Sequence, residues 1–209
     1  MAIVISIILG ILVGYIVNLY NEFENSKEKP YKWYLEIFYK KIKYLVVELA
    51  TIIMFIIAFY KVGTINSLYF EYIFILSIIL AATLVDIRIK KIPNKIILIG
   101  FFGLSVFILI NFSAIYIISS MIGIVVTLII LTPISIISKG SFGMGDVKLY
   151  SLSGGFLGVN GLLSCLFFST MLAAITGMIL IFIKKVEKKT TMPLAPFILL
   201  GTVITIIFI

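Results

Sequence analysis

Long apolar runs dominate this chain, and they fix the solvent in which it can fold. Ala2–Tyr20 and Leu162–Ile183 carry no charged side chain at all. The second run matches the ~20 residues that a helix needs to cross a bilayer. Over all 209 residues only 12% are charged and 62% are hydrophobic, against about 25% charged in an ordinary soluble domain. A surface so poor in charge would aggregate in water. The sequence therefore predicts an all-α, polytopic transmembrane helix bundle in a lipid bilayer.

Eight apolar segments follow one another: Ala2–Tyr20, Leu45–Tyr60, Tyr69–Val85, Ile96–Ile110, Ile115–Ile137, Val147–Asn160, Leu162–Ile183 and Pro196–Ile209. The first lacks the basic start and small-residue cleavage site of a secretory signal, so it is expected to persist as a helix. Its Gly10 and Gly14 form a G-x-x-x-G that allows another helix to approach closely. The stretch 21–44 is polar, and around Trp33, Tyr34, Ile37, Phe38, Lys40 and Lys41 it reads as an amphipathic segment at the membrane surface. Val147–Asn160 is short for a span and rich in glycine.

The lysines and arginines collect at 21–44, at 86–95 (Arg88, Lys90, Lys91, Lys95), at 139–148 (Lys139, Lys148) and at 184–189 (Lys184, Lys185, Lys188, Lys189). The connections near 61–68, 111–114 and 160–161 carry only Lys61. Basic loops stay on the cytoplasmic side. Parity then gives about eight helices, with both termini outside, provided that the glycine-rich segment crosses. The net charge of +8 is thereby assigned to membrane topology, and no nucleic-acid partner is expected.

Histidine is absent. That removes Ser-His and Cys-His catalysis and the His-Glu-x-x-His metalloproteases. Cys165 is the single cysteine; it reads as a small buried hydrophobe, and no metal site is expected. Acid–base chemistry must fall to other side chains, and the chain has two aspartates, Asp86 and Asp146. Asp86 ends the third segment and opens a basic loop. Asp146 closes a basic, glycine-rich loop and opens the sixth segment. The topology puts both at the same membrane face, at helix ends, where an ionisable group is by default functional. Two carboxylates within hydrogen-bonding distance do not both ionise easily. One holds a proton and the other acts as a base, which is how a water is activated and a peptide carbonyl polarised. Glu71 reads as an interfacial charge, and Glu48, one turn into the second helix, as a secondary candidate.

The surroundings of the aspartates are specific. Gly143-Met-Gly-Asp146-Val-Lys148-Leu is a G-x-G-D motif that opens a helix. Gly143 and Gly145 allow unusual dihedrals and close backbone approach. Asp86 is followed after five residues by Ile92-Pro93-Asn94. Pro93 redirects the chain, and Asn94 is expected to cap the next helix. Met192-Pro193-Leu-Ala-Pro196-Phe197 precedes the last segment. Together these elements resemble the type IV prepilin peptidases, the A24 leader peptidases among the GxGD membrane proteases. The Pro-x-x-Pro-Phe element matches theirs, and Leu45-Val-Val-Glu-Leu-Ala resembles the start of their second helix.

The resemblance implies an aspartic endopeptidase of the cytoplasmic (inner) membrane of a bacterium. It would cut the short basic leader from type IV prepilins or pseudopilins at the cytoplasmic face, in contact with pilus or secretion machinery. Asp86 and Asp146 would be catalytic. Gly143, Gly145, Lys148, Pro93, Asn94, Pro193 and Pro196 would shape the site, offering backbone partners to a locally unwound substrate. Residues 67–209 would form the peptidase domain, and residues 1–66 a reduced counterpart of the part that methylates the product in many relatives. The peptidase needs no cofactor, whereas methylation would need S-adenosylmethionine. Loop 21–44 is short and lacks the Cys-x-x-Cys of the larger relatives. Methylation is left open, with Glu48 where those relatives keep a glutamate. Two further readings stand beside this one: a GxGD protease of the signal-peptide-peptidase or presenilin kind, and a transporter using intramembrane carboxylates as proton sites.

Overall fold

The computed structural model describes residues 2–26, 36–138, 142–183 and 192–208, without the side chains of 23–26 and 36–43. Among the described residues all regular elements are helical: α1 (Ala2–Ser26), α2 (Glu36–Val62), α3 (Ser67–Ile89), α4 (Asn94–Ile110), α5 (Ala114–Ile137), α6 (Met144–Phe182) and α7 (Ala195–Phe208). Helices are what a bilayer permits, since they satisfy their own backbone donors and acceptors. Five of the seven are long and apolar enough to cross a membrane, and α4 and α7 are shorter apolar helices. Large apolar side chains stand exposed on them, among them Phe102, Ile115, Ile137 and Phe182. Lipid is the solvent that such faces require, and the chain is a multi-pass membrane protein. The side chains of the expected amphipathic stretch around Trp33, and the loop residues Lys139, Lys184, Lys185, Lys188 and Lys189, lie outside the described residues.

The chain divides into two compact units, Met1–Ile73 and Phe74–Ile209, the division falling within α3. In the first unit, α1 and α2 pack along the expected small-residue stripe. A side chain built on Gly10 would meet the backbone of Ile52, and one on Gly14 would meet Glu48 and Thr51. Asn18 Nδ2 donates to the Tyr44 carbonyl at 3.3 Å. Each four-residue advance along α1 is thus matched by a four-residue retreat along α2, so the two helices run antiparallel. Thr51 Oγ1 donates to the Gly10 carbonyl at 2.8 Å, a bond only so close an approach allows. Near the start of α3, Tyr69 is fully buried, donates to Ser6 Oγ at 2.9 Å and meets Phe59 edge-on at 6.3 Å. Glu71, near the start of α3, is buried, as are most positions of that helix.

The second unit is organised by a break in α6. Gly158 has φ 66° and ψ −174°, a conformation that other residues adopt only under strain. The residues on either side show what the break does. Tyr150 Oη and Ser169 Oγ are hydrogen-bonded at 2.6 Å. In a straight helix nineteen residues rise about 28 Å, so the two limbs, 144–157 and 159–182, must fold back on one another. With the limbs counted separately the seven helices become eight segments, and the reversal lies within a few residues of the connection expected near 160–161.

The first limb is rich in glycine because neighbours press against it. Gly123 of α5 and Gly154 of α6 meet backbone to backbone, with no room for a side chain on either. Phe74, Phe107 and Phe156 form a ring cluster with centroids 5.8 to 6.0 Å apart, joining α3, α4 and α6. On the other side, a side chain on Gly201 of α7 would collide with the Cys165 carbonyl and Ser169 of the second limb. Cys165 is buried there, with Sγ 3.4 Å from Thr202 Oγ1.

Candidate active site

Three short segments of the second unit converge, and they are the three that the sequence singled out. The first is the end of α3. Asp86 sits in its last turn, and only 4% of it is exposed. The helix stops because Lys90 enters the left-handed region at φ 52°, its N–H donating to the Asp86 carbonyl at 2.9 Å. Pro93, at φ −64° and ψ 132°, then starts α4.

The second segment leads from α5 into α6. Ser135 Oγ donates to the Phe142 carbonyl at 3.0 Å, and the Phe142 N–H donates to Ser138 Oγ at 3.1 Å. The Phe142 ring stacks on Tyr150 at 6.4 Å. The chain thereby reaches Gly143 in a fixed pose. Asp146 lies in the first turn of α6, where Oδ2 accepts the Gly143 N–H at 3.2 Å. A carboxylate in a first helical turn satisfies an amide that the helix leaves unpaired and sits at the favourable end of the dipole.

The third segment is the start of α7. The Ala195 N–H donates to Asp86 Oδ2 at 3.1 Å across 109 residues of sequence. The third sequence element is therefore in direct contact with the first aspartate.

Two links join the first and second segments. Lys148 Nζ donates to Asn94 Oδ1 at 2.8 Å. Gly145 packs on Ile92, whose Cβ would lie 3.2 Å from a side chain added there. The two carboxylates themselves lie within electrostatic reach of one another. A buried carboxylate and a half-buried one within that reach, each with a backbone donor, can exchange protons with a water and with a polarised carbonyl. Among the described residues no three His, Cys, Asp or Glu side chains gather into a metal-binding group.

Some expectations need correction. Asn94 does not cap α4: Pro93 holds the cap position without any side-chain bond, and Asn94 spends its carbonyl oxygen on Lys148. Gly143 has an ordinary extended backbone, φ −79° and ψ 146°, and Gly145 is helical with no positive φ. Their value is proximity alone, since a side chain on Gly143 would press on Asp146 Oδ2 at 3.2 Å. Pro193 lies just before α7, and Pro196 is its second residue. Glu48 belongs to the first unit, half-buried on α2 beside Gly14. Sequence reasoning did not find the bond from Ala195 to Asp86, nor the Tyr150–Ser169 tie behind the glycine loop.

The profile of the type IV leader peptidase family matches residues 73–180, just over half of the 209 residues, and the chain belongs to that family. The matched stretch contains both aspartates. The chain is also 28% identical over 166 residues to the prepilin leader peptidase/N-methyltransferase of Bacillus subtilis (strain 168). The similarity covers 79% of this chain and 66% of that protein, so the chain spans a little under two thirds of its relative's length. No solved structure matches the chain.

Proposed function

We propose that this protein is a membrane-embedded aspartic endopeptidase that removes the short basic leader from type IV prepilins or pseudopilins. The observation that carries this reading is that the chain's two aspartates, sixty residues apart in sequence, lie within electrostatic reach of one another, each held by a backbone amide at a helix end. Membership of the leader peptidase family and the similarity to the Bacillus prepilin leader peptidase support the choice of substrate.

The chemistry is that of a carboxylate pair with one proton to share. One carboxylate takes a proton from water as its oxygen attacks the scissile carbonyl carbon. The other gives its proton to the carbonyl oxygen. The tetrahedral intermediate then collapses, the C–N bond breaks, and a proton passes to the leaving amine. The pair titrates as a unit, and neither residue is assigned a fixed role.

The reaction takes place at the cytoplasmic face of a bacterial inner membrane, because the basic loops 86–95 and 139–148 flank the site. Gly143, Gly145, Lys148, Pro93, Asn94, Pro193 and Pro196 shape it. Residues 67–209 serve as the peptidase domain. Residues 1–66 are the reduced counterpart of a methylating part, with Glu48 and S-adenosylmethionine relevant only where methylation is retained. Pilus or secretion machinery supplies the partners, and the peptidase step uses no cofactor.

The test is cleavage of a co-expressed prepilin carrying glycine before the cut. Wild type should cut, while Asp86→Asn and Asp146→Asn at matched membrane abundance should not. A mutant cutting at near the wild-type rate would rule out the two-carboxylate mechanism. A folded wild type that never cuts would remove the substrate assignment.

A further inference from the structure

The first turn of α7 contains an unusual distribution of backbone donors. The first amides of a helix have no partner within it and must find one elsewhere. Pro193 and Pro196 have no N–H to offer, so between them the only backbone amides are those of Leu194 and Ala195. The amides of Phe197 and Ile198 both return to the Leu194 carbonyl, at 3.0 and 3.1 Å. Of the two remaining donors, Ala195 gives its N–H to Asp86 Oδ2 at 3.1 Å. Ala195 is fully buried and Asp86 nearly so. Asp86 thus stands as the N-terminal cap of a helix that begins more than a hundred residues after it.

We propose that the start of α7 is a positioning clamp for Asp86, in which the amide of Ala195 sets the orientation of the carboxylate for the reaction. This rests on the peptidase reading above. The flanking prolines are part of the device. They withhold competing donors, and Pro196 pre-sets the backbone angle of the first turn. Ala195 is a positioning residue that acts through the Asp86 carboxylate. The clamp also explains why the Pro-x-x-Pro-Phe element lies so far in sequence from the aspartates: it is the other half of the seat of Asp86.

The experiment uses the full chain in detergent or lipid nanodiscs. Ala195→Pro replaces the N–H by a ring methylene at a position where a helix accepts proline. Ala195→Gly keeps the N–H and is the control. An α-hydroxy analogue of alanine at 195, introduced by nonsense suppression, removes the N–H and adds no bulk. It decides the matter where the proline variant fails to fold. Because the chain has two aspartates, 13Cγ-aspartate labelling gives two carboxyl signals, assigned by their loss in Asp86→Asn and Asp146→Asn.

The expected result is a fall in kcat of about 100-fold for the proline variant and about tenfold for the ester, with KM little changed and the glycine variant near wild type. The Asp86 carbon signal moves in both donor-deleted variants, and moves more than that of Asp146. A kcat within threefold of the control in the folded ester variant overturns the clamp. So does a loss of kcat with an unmoved Asp86 signal, which would leave Ala195 a packing role only. If wild type cuts no leader, the peptidase reading fails, and the Asp86 signal alone decides the clamp.

Discussion

The two aspartates occupy opposite kinds of seat. Asp146 is held locally: it lies in the first turn of its own helix and takes an amide from Gly143, three residues away. Asp86 is held remotely: it lies in the last turn of α3, where its own helix presents carbonyl groups, and its amide comes from α7. A negative charge is favoured at a helix start and opposed at a helix end. Asp146 therefore needs only its loop, whereas Asp86 needs a second helix brought to it. A local seat forms whenever α6 forms. A remote seat forms only when the whole second unit is folded.

The largest expected effect tests whether both seats serve one reaction. Asp86→Asn and Asp146→Asn should each lower prepilin cleavage by about 10² to 10⁴-fold, as loss of a catalytic acid or base does. Unequal residual rates in quantitative cleavage assays would show that the two groups do not act as a unit.

The next variant leaves the local seat and strains the reversal of α6 behind it. Gly158→Val forces a branched side chain into φ 66° and against Ser119, at a cost of roughly 1–3 kcal/mol. The expected outcome is a lower thermal midpoint in detergent, with weakened packing of Tyr150 against Ser169. An unchanged midpoint would show that the reversal does not depend on glycine.

Gly143→Ala acts on the local seat alone, pressing on Asp146 Oδ2 without disturbing the backbone angle. It should lower kcat about tenfold, equivalent to ~1.4 kcal/mol in the barrier, with thermal stability nearly unchanged. Full cleavage by the folded variant would mean that Asp146 tolerates displacement.

The smallest effect belongs to the exposed strut between the two loops. Lys148→Met removes its bond to Asn94 and should change stability by no more than about 0.5 kcal/mol, with a correspondingly small change in rate. A loss as large as that of Gly143→Ala would promote Lys148 from strut to participant.

The same contrast explains what the sequence disclosed. Spans were legible because hydrocarbon imposes a length and an absence of charge, so Ala114–Ile137 was placed within a residue of its ends. A close helix approach along Gly10 and Gly14 was legible as a stripe of small residues, whereas its partner and direction were not. The surroundings of Asp146 were legible because every part lies within a few residues of it. The seat of Asp86 was not, because a backbone amide has no signature in the sequence and its partner lies 109 residues on. The flanking prolines at 193 and 196 were the available sign, since they mark where donors have been removed.

The reversal at Gly158 also bears on how the protein is made. The limb 144–157 rises about 21 Å as a helix, less than the ~30 Å of a hydrocarbon core. A segment this short gains little by partitioning into lipid alone. Its partner, 159–182, is long enough to do so, and the bond from Tyr150 to Ser169 ties the two together. Biogenesis should therefore deliver the pair as one unit, with Asp146 carried to its final depth by a helix synthesised after it.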